Sequence, residues 1–267
     1  MKKTLAVLAV VALICSLAIG NTLAYLQDSQ ADKNVMTVGK VTIEQYEKDR
    51  AGNDFVDNQK LLPMVDNRPA GESFIVGGFY NSNVANVIDK VITVKNTGTE
   101  AAYIRTIVLF ETVLSYVPGS DTDINADLHY NYIGTLGDFD YISYEVEKFV
   151  KIGDVVYAVA VCVYENPVAA GATTEPSLKQ FFLSPDAGNE FYDHFGSEYN
   201  ILAISQAVQA QGFKENGTLS AAEVALNTAF GEVTAENVVS WFAEFGAGSV
   251  IEVNFIGTAD NIVWPIG

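Results

Sequence analysis

The stretch Ile92-Thr93-Val94-Lys95-Asn96-Thr97-Gly98-Thr99-Glu100-Ala101-Ala102-Tyr103-Ile104-Arg105 holds two segments of alternating character around a polar, glycine-bearing break. Period-two alternation marks strands, because successive side chains leave a strand on opposite faces. The pattern predicts a strand over 87–95, a turn at 96–100 and a returning strand over 101–111, the clearest hairpin in the chain. On the return, Ala102, Ile104, Thr106, Val108 and Phe110 share one face, and Tyr103 and Arg105 the other.

Downstream, residues 141–152 and 155–164 read as two long strands joined at Gly153-Asp154, a Gly-first connection suited to a type II′ hairpin. Both are apolar on nearly both faces, which suggests a central position covered on two sides. Asn166-Pro167 ends the run, and a loop through Gly171-Ala172-Thr173 leads to a short strand near 180–183. Residues 199–211 suit either period: Tyr199, Ile201 and Ala203 alternate, whereas Ile204, Ala207 and Val208 fit a helix. Ser220-Ala221-Ala222-Glu223 is a capping box, predicting a helix over 221–230. A second helix is predicted over 235–245 behind Thr234, with Val238, Trp241, Phe242 and Phe245 as its core stripe, and a last strand over 250–256. The fold class is mainly β: an antiparallel β-sandwich with a C-terminal helical addition.

At the other end, Lys2 and Lys3 precede an uncharged run from residue 4 to 19, and the small residue Ala24 follows Thr22 by two places. Charge, apolar run and small-residue exit describe a secretory leader over 1–24, too short for a comfortable membrane span and cleaved between Ala24 and Tyr25. Ile14 before Cys15 rejects a lipoprotein signal. A polar arm follows, 25–38, with Tyr25, Leu26, Val35 and Met36 as apolar anchors. The apolar phase slips at Gly39: Met36 and Val38 share one parity, Val41 and Ile43 the other. Such a slip calls for a bulge or turn, so a free arm is expected, hinged to the first strand of a single body over 39–267. Residues 47–68 read as a polar surface loop.

The formal charge of −18 becomes −20 once Lys2 and Lys3 leave with the leader. So acidic a surface repels phosphates, which argues against nucleic-acid binding and confines membrane contact to the uncleaved precursor. Cys162 would be the one cysteine left, ruling out an internal disulfide framework and fitting a Gram-positive envelope; its parity with Ala158 and Ala160 makes it a core side chain.

Four stretches, in order, resemble the TasA/camelysin family of secreted biofilm-matrix proteins processed by the SipW-type signal peptidase. They are the leader exit through Asp28 with Thr37-Val38-Gly39-Lys40-Val41-Thr42-Ile43, the run 92–105, the loop at Gly171 to Thr173, and the segment ending Gln206-Ala207-Val208-Gln209-Ala210-Gln211-Gly212-Phe213. The resemblance implies a jelly-roll-like sandwich, exported to the cell surface or matrix. Its partners would be the signal peptidase during export and then itself or related matrix subunits. It also implies fibre assembly in which one subunit's arm, anchored by Tyr25, Leu26, Val35 and Met36, adds as a strand to the next, and it favours a strand over 199–209. The long loops at 47–78 and 118–137 and the C-terminal helices depart from the family.

Competing readings are thinner. Some camelysin-like proteins are assigned as metallopeptidases, but His-Glu-x-x-His does not occur, His129 and His194 are far apart in sequence, and no catalytic residues stand out. Tyr130, Tyr132, Tyr141 and Tyr144 would suit a carbohydrate-binding sandwich, or simply half-buried strands. Asp121, Asp123, Asn125 and Asp127 alternate as calcium ligands do, yet the loop lacks the sixth-place Gly, and Tyr132 stands where a bidentate Glu belongs. A solvated acidic loop with no cofactor is the expectation, a weak calcium site its alternative. Thermal melts should therefore be unchanged by millimolar calcium; a rise in melting temperature would establish the cation site.

Overall fold

In the computed structural model, the described residues are 27–30, 41–57, 59–111, 128–131, 148–189, 193 and 199–252. They form two antiparallel sheets and a helical layer. The larger sheet holds, in spatial order, β1 (Gln27–Gln30), β13 (Ile201–Gln209), β8 (Ala102–Glu111), β11 (Val155–Val168), β10 (Lys148–Ile152) and β14 (Gly248–Glu252). The smaller holds β2 (Ile43–Lys48), β7 (Ile88–Asn96), β12 (Leu178–Leu183) and β9 (Leu128–Asn131). Two short ladders, β3 (Val65–Asp66) with β6 (Val84–Ala85) and β4 (Ile75–Val76) with β5 (Phe79–Tyr80), build out the segment between β2 and β7.

One inner face of the larger sheet meets the smaller sheet. Ile104, Val108, Phe110, Ala160, Cys162, Ala203 and Ala207 pack on Ile43, Ile92, Val94 and Leu178. The opposite face is just as apolar, through Ile107, Leu109, Val159, Val161, Ile204 and Val208, and it is covered by Ala222, Ala225, Leu226, Val238 and Phe242 of the helical layer. Helix α1 (Ala221–Phe230) lies over β8, β11 and β13, and helix α2 (Ala235–Trp241) over β10 and β14. The central position expected of 155–164 is thus met. The Ser220 side chain accepts from Glu223 N while Glu223 accepts from Ser220 N, the reciprocal cap read from the sequence.

The expected hairpin at 96–100 does not form. Both strands exist, but β7 pairs with β2 and β12 while β8 pairs with β11 and β13, so the connection crosses from one sheet to the other. The reason is burial. Ile92 and Val94 need an apolar face opposite them, and Ile104 and Val108 supply it across the sandwich rather than alongside. The chain changes sheet repeatedly between β7 and β13, in the manner of a jelly roll.

Other boundaries move for physical reasons. The first body strand begins at Ile43 and takes in Glu47 and Lys48, which the sequence reading assigned to a loop, because Lys48 completes the ladder with Val91. Strand β11 runs past Asn166-Pro167 to Val168, with a register shift between Tyr164 and Val168 that lets proline sit where no ladder donor is required. Residues 201–209 are a strand, and the second helix stops at Trp241, with a 3₁₀ turn at Ala243–Phe245. The last strand starts at Gly248, and of its expected span the residues beyond 252 lie outside those described. Gly153 has φ +62 at the first turn position and Asp154 has no positive φ, as a type II′ connection requires. Leu109 is fully buried under the helical layer, so Leu109→Ala should lower the unfolding free energy by about 2–5 kcal/mol in urea titrations.

Candidate functional site

Strand β13 closes the body of the larger sheet on one side, and its far border receives β1. Asn200 O and Ala210 N bond toward β8, so by the two-residue period the backbone groups of Ala203, Ser205 and Ala207 face away from it. On that border Gln27 stands opposite Val208, Asp28 opposite Ala207, Ser29 opposite Gln206 and Gln30 opposite Ser205. The arm expected to be free therefore has its described part paired with its own chain. Tyr25, Leu26, Val35 and Met36, with the cleavage pair Ala24 and Tyr25, lie outside the described residues.

A side chain from the other sheet reaches the same border of β13. Gln45 Nε2 donates to Ala203 O at 3.3 Å, one place beyond the last β1 pair on the same border. Gln45 Oε1 accepts from Ser205 Oγ at 2.7 Å, and Ser205 in turn is 3.0 Å from Thr106 Oγ1. A polar chain thus crosses the sandwich interior, fixing β13 to β2 and β8 where buried hydroxyls would otherwise lack partners.

The opposite face of the same strands is fixed by Arg105, which is 1% exposed. Its Nε donates to Gln206 Oε1 at 2.7 Å, one terminal nitrogen to Asn227 Oδ1 at 2.9 Å, and the other to Gly231 O at 3.0 Å. The Trp241 ring lies 4.8 Å from the guanidinium carbon. Burial pulls the Arg105 pKa down to about 10, which leaves the group charged at neutral pH. Helix α1 has no basic residue in its last turn, so Arg105 supplies from β8 the positive charge that its carbonyl end favours. The sequence signal was a lone arginine within an apolar strand.

Two of the four stretches behind the family resemblance meet at Asn96. Its side chain donates to Glu100 O at 2.8 Å and Val168 O at 2.9 Å, and accepts from Gly98 N at 3.0 Å. Its backbone pairs with Ala172 O and Gly171 N, and Thr174 Oγ1 accepts from Val94 N. The run 92–105 and the Gly171 loop are therefore one structural knot, which steers the chain between sheets.

Among the described residues the remaining candidates form no site. His129 stands on β9 opposite Phe182 and Tyr130 opposite Phe181, while Tyr132, Tyr141, Tyr144 and His194 lie outside the described residues. So do Asp121, Asp123, Asn125 and Asp127. Among the described residues no group of three or more His, Cys, Asp or Glu could hold a metal ion, and no helix is long and apolar enough to cross a membrane. Cys162 is buried between the sheets, and burial pushes its thiol pKa up, away from a reactive thiolate.

Comparison with protein-family models, curated proteins and solved structures found no match, so the family resemblance rests on the quoted motifs alone. Replacing Asn96 with Ala would remove its side-chain bonds to Glu100 O, Val168 O and Gly98 N, and should lower the unfolding free energy by about 1–3 kcal/mol in denaturant titrations.

Proposed function

We propose that this chain is an exported structural subunit of an extracellular matrix or cell-surface fibre, assembling by exchange of its N-terminal strand between copies. One observation carries the reading. A four-residue strand, joined to the body through residues 31–40, sits on the border of the central sheet. A connection of that length spans up to about 35 Å, and packed sheets lie only about 10 Å apart. The tether is therefore longer than closure on its own chain requires.

A border that accepts this strand from its own chain offers the same backbone groups to the same strand of a neighbour. Exchange conserves the hydrogen bonds, so the balance between closed monomer and linked chain is set by tether constraint, concentration and any new contact between bodies. Because donor and acceptor are different surfaces, each contact is head-to-tail and the assembly stays open, as a filament does. The family resemblance and the leader-like residues 1–24 support export and processing before Tyr25 by a SipW-type peptidase.

The register gives a direct test. Residues 27 and 208 form a non-hydrogen-bonded pair, whose Cα separation of about 4.5 Å lies within disulfide range. Val208 faces the helical layer whereas Cys162 faces the sandwich interior, which keeps the native thiol out of the exchange. In the chain starting at Tyr25, Gln27→Cys with Val208→Cys should give no filaments by electron microscopy when oxidised and filaments once reduced. Filaments from the oxidised chain, or none in either state, would overturn the proposal.

A further inference from the structure

The segment between β2 and β7 carries an unusual surface. Six large apolar side chains are exposed among the described residues, and five of them, Val56, Leu62, Val65, Ile75 and Val76, fall here. Val65 follows Met64, and Ile75 follows Phe74 and pairs with Tyr80, so both adjoin one apolar cluster, in which Met64, Val84 and Phe182 are buried and Phe74 and Tyr80 partly so. The Arg68 guanidinium stacks 4.1 Å from the Phe74 ring and donates to Glu72 O, tying the two ladders side by side.

This surface is held rigidly. Gly77 and Gly78, both at positive φ, form the two-residue turn of the β4–β5 hairpin. Under it, Arg50 grips Asp89 through two bonds of 2.5 and 2.8 Å and donates to Tyr80 O. Gln180 bridges Tyr80 N and Asp89, and the buried Lys179 ammonium donates to Gly78 O at 2.8 Å while lying 4.8 Å from the Phe79 ring. A flexible loop tip would need none of this. Fixing apolar side chains in place before contact removes much of the ordering cost of association.

Its charge also sets it apart. Residues 48–90 contain five Lys or Arg against six Asp or Glu, a net of −1 in a chain of −18. Arg50, Arg68, Lys48 and Lys90 are paired with Asp89, Asp66, Asp54 and Glu47, so the face offers little attraction to phosphates or anionic lipid. A basic partner would be drawn instead to the acidic remainder. Two copies of this chain repel one another over most of their surfaces and least where this near-neutral apolar face meets its equal.

We infer that the outer surface of the 48–90 segment, centred on Val65, Ile75 and Val76, is a contact between two copies of this chain. A patch meeting itself is isologous and closes at the pair, so it would join chains laterally rather than lengthen them. The contact is independent of strand exchange.

The disulfide-closed chain described above, Gln27→Cys with Val208→Cys, separates the two, since it cannot exchange its arm. In sedimentation velocity the oxidised chain should show a monomer–dimer equilibrium that strengthens with salt, as screening reduces repulsion. Adding Ile75→Asp with Val76→Asp should weaken the dimer at least tenfold and leave the urea midpoint unchanged, both side chains being exposed. A closed chain that stays monomeric up to about 1 mM, a dimer indifferent to the two aspartates, or a monomer that binds phosphatidylcholine vesicles through these residues would each overturn the inference. None of those results bears on filament formation by the reduced chain.

Discussion

The structure depends on a central antiparallel sheet whose middle strands are apolar on both faces. From Ala102 to Phe110 every residue of β8 is buried, as are half of β11 and most of β13. Water cannot be left against either face, so one needs the smaller sheet and the other the helices. The three-layer arrangement, the crossing of the chain between sheets and the C-terminal helices all answer that one requirement.

Two faces covered with apolar side chains leave the layers free to slide, because dispersion and burial are weakly directional. Polar groups inside the layers remove that freedom. Gln45, Ser205 and Thr106 fix the sheets to one another, and Arg105 fixes the helical layer through Gln206, Asn227 and Gly231. Each is acceptable in the interior because its bonds are made there, and each would be costly if the partner were displaced. Strands β8 and β13 take part in both sets, so the border that β1 occupies belongs to a strand held from both faces.

A border fixed in this way keeps its hydrogen-bonding groups in a constant pattern. The 48–90 segment is held in a related way, with an exposed apolar tip mounted on a network of Arg50, Asp89, Gln180 and Lys179. Both surfaces are held in place by buried polar side chains rather than by apolar packing alone.

Local pattern in the sequence determined strands β7, β8, β11 and β12, though not the short strands β3 to β6 or β9, and it determined the two helices and their Ser220 and Thr234 caps, the type II′ turn at Gly153, the buried position of Cys162 and the double burial of 155–164. Periodicity, capping and turn chemistry act within a few residues and are therefore written in order along the chain. Of the pairings, the β10–β11 hairpin at Gly153-Asp154 was legible and the others were not. The run 92–105 reads as a hairpin, yet its halves lie in different sheets, because Ile92 and Ile104 are placed by partners dozens of residues away. Only the tertiary structure decided that, along with the polar bridges of Gln45 and Arg105 and the docking of Gln27–Gln30 on its own β13. Each of these depends on distant groups arriving at one place, and a side chain's identity does not say which distant neighbour will satisfy it.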